Sequence, residues 1–442
     1  MARRIRWSVP IALVAVFSLG NTALAAITYS AQRAVAPANS WNYGNSLGAS
    51  ECAGIEYLNS TYATDFVNGE WATDAGPYQG VFVQRAKTSV DPLVWSKAKR
   101  VSQGTKHSER PTLSTSGSNV YVGWVTQKSY DAYKPGAPRV FYVSRSTDCG
   151  ATWQAPTALS GRTGRVDYPI LASSGANVYA VWTDADSGEV RFRRSTDGGA
   201  SWQAVQIVGS TTSNQEDGEG FFGFPTVGAS GANVVIGWYA DDAGKTVARL
   251  SNTSGAGFGA ETVLTAASPN DTIHYAVAAG QDDGAGNRVS IAYTTGSYTA
   301  GKVAVRSSSN GSSFGAEQTV LNYGASVGGN TIGGSYGPAP QPFGSNGLLV
   351  TFPGCRVVGG LPNPCNYNKS TMRSDLLLWQ KVGSTTTPAE VVHAAAPGQT
   401  INDSASIVVR GSGASTKRFI LYNGWTSNYG LYRTFMRVGT GS

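Results

Sequence analysis

The chain has 442 residues, a formal net charge of +7 and only 14% charged residues. Its 55 glycines, 21 tyrosines and 11 tryptophans favour many short strands joined by tight turns over long helices. There are no lysine or arginine runs, which argues against nucleic-acid binding. The 3 histidines are widely separated, so the sequence shows no recognisable metal site, and we expect no cofactor.

Residues 1–25 predict a cleaved signal peptide. The segment has arginines at positions 3, 4 and 6, an apolar stretch over 7–19 and an Ala-Leu-Ala pattern at 23–25. The apolar stretch is too short to span a bilayer comfortably, and no second run of about 20 apolar residues follows. We therefore expect a secreted protein with no transmembrane segment, a retained N-terminal anchor being the alternative. Cleavage would lower the net charge to +4, because three arginines are removed.

Three stretches of the chain share one pattern: a residue followed by proline, a short strand, a Ser-Gly-x-Asn turn and a strand that ends in tryptophan. They are Arg110–Trp124, Tyr168–Trp182 and Phe224–Trp238. Weaker copies begin near His274, Pro338 and Ile401. A strand–turn–strand unit that repeats every 50 to 60 residues or so is typical of β-propeller blades. The pattern predicts six inner strands.

A second repeat, Ser-x-Asp-x-Gly-x-Thr/Ser-Trp, occupies Ser146–Trp153 and Ser195–Trp202. Degenerate copies cover Ser251–Phe258 and Ser307–Phe314. The carboxylates of Asp148 and Asp197 can accept backbone N–H groups of a turn, and the glycine can take a positive φ. We therefore predict a structural role for both aspartates.

This second repeat resembles the Asp-box of sialidases and related propellers. The resemblance implies an all-β, six-bladed β-propeller with the Asp-box turns between strands three and four. Seven blades are expected instead if residues 45–105 form a blade of their own. We expect residues 26–442 to be a single propeller domain in which N- and C-terminal strands close the last blade. The N-terminal strands for this blade would be Val81–Arg85 and Trp95–Val101.

Four cysteines in an exported protein favour disulfides over metal binding. Cys355 and Cys365 bracket a short loop and are expected to pair. That leaves Cys52 with Cys149, which would connect the N-terminal segment to a repeat turn. Four cysteines allow three pairings, so this assignment is a preference among them.

The starts of the inner strands and the loops between strands two and three share one face of a propeller, opposite the Asp-boxes. Carboxylates that hydrogen-bond hydroxyls, beside aromatic rings that stack on sugars, suit a glycan there. As substrate-binding residues we predict Arg110, Asp167, Tyr168, His274 and Tyr336. Other polar and aromatic residues at these strand starts are Glu109, Arg165, Asp217, Phe222, Phe224, Asp271, Tyr275, Asn402 and Asp403.

Sialidases hold the ligand carboxylate with three arginines and use an aspartate acid/base and a tyrosine nucleophile activated by a glutamate, and the resemblance implies the same roles here. Arg110-Pro111 stands where an Arg-Ile-Pro motif would. Asp131 matches the acid/base, Glu219 the acidic partner, and Tyr429 or Tyr432 the nucleophile. No second or third arginine matches by motif; those available are Arg249, Arg306 and Arg433.

We predict a secreted, sialidase-like glycoside hydrolase that acts on extracellular glycans. A carbohydrate-binding propeller without catalysis, such as a lectin or adhesin, is the first alternative. An extracellular scaffold for protein interactions is the second. The expected partner is a glycan or glycoconjugate and not a nucleic acid, and we expect a monomer.

Overall fold

A computed structural model of the chain describes residues 27–30, 33–35, 42–67, 70–73, 75–128, 138–161, 164–211, 224–240, 245–265, 276–281, 286–296, 301–335, 337–357, 373–395, 399–401, 406–411, 416–426 and 431–440. These residues form 34 strands and no helix. The predicted signal peptide lies outside them. In the described part of the chain, then, no helix exists that could cross a membrane.

The N-terminal strands belong to two different sheets. Strands β1 (Thr28–Tyr29) and β2 (Arg33–Ala34) pair with the last strand of the chain, described below. Blade 1 follows and has the strand order β3 (Asn42–Cys52), β4 (Ile55–Thr64), β7 (Gly80–Lys87), β8 (Lys99–Arg100). The connection from β4 to β7 contains a small hairpin of β5 (Phe66–Val67) and β6 (Glu70–Trp71).

Blades 2 to 5 are four-stranded antiparallel sheets in sequence order. Blade 2 contains β9 (His107–Ser116), β10 (Asn119–Gln127), β11 (Arg139–Ser146) and β12 (Thr157–Ala158). Blade 3 contains β13 (Val166–Ser174), β14 (Asn177–Asp184), β15 (Glu189–Ser195) and β16 (Gln206–Ser210). Blade 4 contains β17 (Thr226–Ser230), β18 (Asn233–Ala240), β19 (Lys245–Ser251) and β20 (Thr262–Val263). Blade 5 contains β21 (Ala276–Gly280), β22 (Val289–Thr295), β23 (Lys302–Ser308) and β24 (Gln318–Asn322).

The last two blades are larger. Blade 6 contains β25 (Ser326–Val327), β26 (Asn330–Ser335), β27 (Ala339–Phe343), β28 (Gly347–Arg356), β29 (Ser374–Val382) and β30 (Thr385–His393). Blade 7 contains β31 (Gln399–Ile401), β32 (Ser406–Arg410), β33 (Lys417–Thr426) and β34 (Leu431–Thr440), and β1 and β2 add to β34.

The seven blades form a closed ring. The innermost strands contact one another in the order β3, β9, β13, β17, β21, β27 and β32, and β32 returns to β3. Seven clusters of buried apolar side chains lie between the sheets, one for each pair of neighbouring blades. The closing cluster packs Val408 and Leu421 of blade 7 against Leu47 and Leu58 of blade 1. The predicted all-β propeller is confirmed.

The count is seven, the larger of the two numbers that the sequence allowed, because the segment around 45–105 does form its own blade. One strand assignment was wrong. Gly80–Lys87 pairs with β4 and not with the C-terminal strands, since β3 and β4 already supply it with a sheet. The N-terminal strands that join blade 7 are β1 and β2, near residues 28–34.

The two faces of the ring differ. We call the face at which the inner strands begin the front face; it also carries the connections between second and third strands. The opposite, back face carries the turns between third and fourth strands. Asp148 and Asp197 lie in such turns, in blades 2 and 3 respectively.

Hydrogen bonds explain the aspartates locally. The Oδ1 atom of Asp148 accepts the backbone N–H of Thr152 at 2.8 Å and the hydroxyl of Ser146 at 2.7 Å. Its Oδ2 atom accepts the Thr152 hydroxyl at 2.6 Å. Asp197 makes the same bonds with Ser201 and Ser195. These hydrogen bonds join the two ends of each turn and stabilise it locally.

An arginine of each preceding blade also holds these turns. Arg85 of blade 1 donates from Nη1 to the carbonyl of Cys149 at 3.2 Å, and Arg145 of blade 2 donates to the carbonyl of Gly198 at 2.8 Å. Arg194 of blade 3 donates to the carbonyl of Ser254 at 2.7 Å in the degenerate turn of blade 4. The back-face turns therefore connect neighbouring blades as well as neighbouring strands.

The disulfide between Cys52 and Cys149 confirms that predicted pairing, with a Cα–Cα distance of 6.1 Å. It ties the β3–β4 turn of blade 1 to the Asp-box turn of blade 2. Cys355 is also disulfide-bonded. Its expected partner, Cys365, lies outside the described residues.

Candidate functional site

Two inner strands bulge at the front face. In blade 2, Thr112 pairs with Gly123 and Glu109 with Val125, so Arg110 and Pro111 together oppose the single residue Trp124. Tyr168 and Pro169 likewise oppose Trp182 in blade 3. A β-bulge of this kind re-aims a side chain, which places these two residues as candidates.

The backbone at these bulges has an uncommon conformation. Arg110 has φ 51°, Tyr168 has φ 45°, and Phe224, at the same position of blade 4, has φ 36°. Glycine is the residue that tolerates a positive φ without a steric penalty, and these three large residues do not. Three consecutive blades have a bulky residue at this position, although glycine would adopt the same backbone conformation without strain. We infer that these positions are important for their side chains.

The side chains of these three residues contact one another from each blade to the next. The guanidinium carbon of Arg110 lies 4.1 Å from the centre of the Tyr168 ring. The Tyr168 and Phe224 rings are 4.4 Å apart between centroids, at an interplanar angle of 55°. Together Arg110, Tyr168 and Phe224 form a continuous surface across three blades, which we call the front-face stack.

Buried carboxylates hold the arginine end of the stack. Asp167 is fully buried, and its Oδ1 atom lies 3.1 Å from Nη1 of Arg110 and accepts the Tyr168 N–H at 3.0 Å. Its Oδ2 atom lies 3.3 Å from Nη1 of Arg139. Arg139 also donates from Nη2 to Oε1 of Glu109 at 2.6 Å. Two cations and two anions thus compensate one another.

The network keeps Arg110 charged. Burial alone would lower the pKa of its guanidinium, but Asp167, Tyr168 and Glu109 raise that pKa well above its ordinary value. The Arg110 side chain retains 18% of its surface exposure, so part of the head group faces the front. Its Nη1 atom nevertheless already faces the Asp167 carboxylate at 3.1 Å, and its Nε atom lies 3.9 Å from Oε1 of Glu109.

A pocket of about 360 Å³ opens beside the network, between the end of blade 2 and the turn that joins the second and third strands of blade 3. Arg191 pairs there with Asp184 at 2.5 Å and with Glu189 at 2.8 Å. Arg165, whose backbone bridges to that of Arg139, lies 3.7 Å from Asp186. The pocket is lined by Ser160, Gly161, Gly164, Val166, Asp184, Asp186, Ser187 and Arg191.

The structure brings together three of the eight residues predicted for binding or catalysis. Arg110, Asp167 and Tyr168 share the front face of blades 2 and 3. The other five, Asp131, Glu219, Tyr429, His274 and Tyr336, lie outside the described residues. Arg139 was missed as a site residue, although it opens a strand after a long loop, because sequence position does not show that it meets Glu109 and Asp167.

Two of the arginines available for a ligand carboxylate lie elsewhere. Arg249 and Arg306 are on the third strands of blades 4 and 5, close to where each strand leads into its back-face turn. The side chain of Arg433 is outside the described residues. Among the described residues, Arg110 and Arg139 meet in one front-face network, and both are paired with carboxylates.

Hydrogen-bonded tyrosine–glutamate pairs also occur, one within blade 5 and one between blades 6 and 7. The Tyr293 hydroxyl donates to Oε2 of Glu317 at 2.5 Å, and that of Tyr29 donates to Oε1 of Glu390 at 2.7 Å. Burial, together with the glutamate charge, raises the pKa of both hydroxyls above the ordinary value of 10.0. These tyrosines are therefore held neutral and are poor nucleophiles.

No group of three or more metal-ligating side chains is present among the described residues. The prediction that the protein works without a metal stays a prediction.

Comparison with known proteins identifies no relative by sequence. No protein-family model matches the sequence, and no curated protein is similar to it. Among solved structures, a Hadza microbial sialidase aligns at 12% identity with a TM-score of 0.45, over 70% of this chain and 63% of that chain. Trypanosoma rangeli sialidase in complex with 2,3-difluorosialic acid aligns at 9% identity with a TM-score of 0.47, over 90% of this chain and 53% of that chain.

The intramolecular trans-sialidase from Ruminococcus gnavus, in complex with oseltamivir carboxylate, aligns at 8% identity with a TM-score of 0.46, over 76% of this chain and 94% of that chain. This chain therefore spans between half and two thirds of the length of the first two structures. The grounds for describing the fold are the ring of small sheets and the repeated turns of the structure itself. On those grounds the chain is an all-β propeller of seven blades.

Proposed function

We propose that this protein recognises extracellular glycans at the front face of the propeller, over the front-face stack. The observation that carries the proposal is the stack itself: Arg110, Tyr168 and Phe224 occupy one strained position in three successive blades and contact one another. Aromatic rings suit the apolar faces of sugars, and the carboxylates around them suit hydroxyl groups.

The rest of the front face supports a sugar ligand. Trp71, in the β5–β6 hairpin of the neighbouring blade 1, is 48% exposed on this face. The pocket lined by Asp184 and Ser187 adds carboxylate and hydroxyl groups on the same face. Rigid strands support all of these groups, which favours a preorganised binding site.

Secretion is part of the proposal. The Cys52–Cys149 disulfide suits an oxidising compartment, and the first 25 residues have the pattern of a signal peptide. N-terminal sequencing of the protein collected from the culture medium should start at Ala26. Non-reducing peptide mapping of the same sample should find Cys355 joined to Cys365.

Hydrolysis is the catalytic form of the same proposal. The candidates for the reaction are Asp131, Glu219 and Tyr429, and they lie outside the described residues. Release of sugars from sialylated and neutral substrates by wild type, lost in Asp131→Ala, would establish a hydrolase. Binding without turnover would establish a lectin-like propeller.

The proposal is tested by binding of the full mature chain to an array of immobilised glycans, with affinities then measured by calorimetry. Tyr168→Ala should weaken binding at least tenfold, because the stacking surface is lost. Asp197→Ala is the matched control: it changes a back-face turn and should leave the affinity unchanged. Absence of any glycan binding in wild type would favour the extracellular scaffold instead.

A further inference from the structure

The arginines at the front of blades 2 and 3 are all compensated. Among the described residues of this region, Arg110 pairs with Asp167, Arg139 with Glu109, Arg165 with Asp186 and Arg191 with Asp184. Glu189 adds a second carboxylate to Arg191. In these ion pairs four arginines face five carboxylates.

The pairing of these arginines with carboxylates affects which ligand charge the site favours. A ligand carboxylate is best held by an arginine whose parallel N–H groups are free for it. Here such a ligand would have to compete with Asp167, which is fully buried and would be left with less compensation. An incoming anion would also meet the carboxylates of Asp184 and Asp186 in the pocket.

An uncharged sugar meets none of these penalties. Its hydroxyls can donate to the carboxylates of Asp184 and Asp186 and exchange hydrogen bonds with Ser160 and Ser187. Its apolar face can lie on Tyr168. A pocket of about 360 Å³ has room for a single sugar ring.

We propose that the front-face site is selective for uncharged sugar residues and discriminates against glycans that end in a carboxylate, such as sialic acid. This rests on the proposed glycan recognition and specifies its ligand class. The propeller would then share its architecture with sialidases while differing from them in the charge of its ligand.

The test is a glycan array in which each sialylated glycan is printed beside its desialylated counterpart. Wild type is expected to bind the neutral member of a pair at least tenfold more tightly. A preference for the sialylated members, or equal binding to both, overturns the inference and leaves glycan recognition standing. Binding to neither overturns both.

A charge variant tests the physical cause. The Asp186 side chain is 46% exposed at the rim of the pocket, so Asp186→Asn is expected to fold normally. It removes one negative charge next to Arg165 and should raise the ratio of sialylated to neutral binding at least threefold. The matched control is Glu51→Gln, which removes one charge from an exposed back-face side chain and should leave the ratio unchanged. An unchanged ratio in Asp186→Asn overturns the electrostatic basis of the inference.

Discussion

Arg110 and Tyr168 occupy the same position in consecutive blades, and the guanidinium of one lies over the ring of the other at 4.1 Å. Each residue is the first of a two-residue bulge and precedes a proline. The repeat therefore places neighbouring side chains in contact whenever both are large. In this way a periodic sequence builds one continuous surface across separate sheets.

The strain at this position gives a first prediction. Tyr168→Ala and Tyr168→Gly both remove the ring, but only glycine accepts φ 45° without a steric cost. We expect Tyr168→Gly to be more stable than Tyr168→Ala by about 1 kcal/mol, measured by urea unfolding.

The control for this comparison is Ile207, an exposed residue of the outer strand β16. There the order should reverse, and Ile207→Gly should be less stable than Ile207→Ala by about 0.5–1 kcal/mol. If glycine proved worse than alanine at both sites, the backbone at Tyr168 would not be strained.

The Asp-box carboxylates give a pH-dependent prediction. Burial raises the pKa of Asp148, but the hydroxyl and N–H of Thr152 and the hydroxyl of Ser146 outweigh it and lower the pKa from 3.8 to about 2. Because the pKa is lower in the folded state, the stabilisation is present above about pH 4 and is lost as the pH falls towards 2.

Asp148→Asn should therefore reduce the free energy of unfolding by about 1 kcal/mol at pH 7, a value at the low end because the side chain is partly solvated. The difference from wild type should shrink between pH 4 and pH 2. Glu51→Gln is the control and should change stability by less than about 0.5 kcal/mol at either pH. A difference that stayed constant with pH would contradict the carboxylate's role.

The fold could be predicted because its signals are local. Both repeats place proline, glycine, aspartate and tryptophan at fixed spacing within one hairpin, so each copy identifies a blade by itself. Blade 1 is different: Asn42–Cys52 and Ile55–Thr64 pair in a tight hairpin, but they carry neither the proline nor the Asp-box.

The site was harder to predict for the same reason. Asp167 and Tyr168 follow from the repeat, since both stand at the start of an inner strand. Arg139 does not, because its contacts with Glu109 and Asp167 join three different strands of two blades. The spacing of these residues in the sequence does not predict their contact, because the contact depends on how neighbouring sheets pack against each other.

The arginines that reach the back-face turns give a third prediction. Arg145 donates to the carbonyl of Gly198 in the turn of blade 3, and Arg194 donates to that of Ser254 in the turn of blade 4. Arg145→Leu should accelerate hydrogen exchange of the amides at 197–201 and lower stability by about 1 kcal/mol.

Each variant serves as the control of the other. Arg194→Leu should accelerate exchange in the turn at 251–258 and leave 197–201 protected. If both variants loosened both turns equally, the effect would be a general loss of stability and not the loss of a specific contact.

The buried network of the front face gives the last prediction. Arg139 is almost fully buried and faces Glu109 at 2.6 Å and Asp167 at 3.3 Å. Arg139→Met leaves both carboxylates without one cation and should cost about 3 kcal/mol in urea unfolding. Arg191→Met, the control, removes a partly exposed arginine that also faces two carboxylates and should cost less than about 1 kcal/mol.

The double variant distinguishes a charge network from simple loss of packing. Asp167→Asn alone leaves Arg139 and Arg110 undercompensated, but together with Arg139→Met it removes one charge of each sign. We therefore expect the double variant to be more stable than the sum of the two single losses by about 1–3 kcal/mol. Strict additivity would mean that Arg139 stabilises the propeller only through its packing. A positive coupling would show that Asp167 is held by charge, which is the condition that keeps Arg110 unavailable to an anionic ligand.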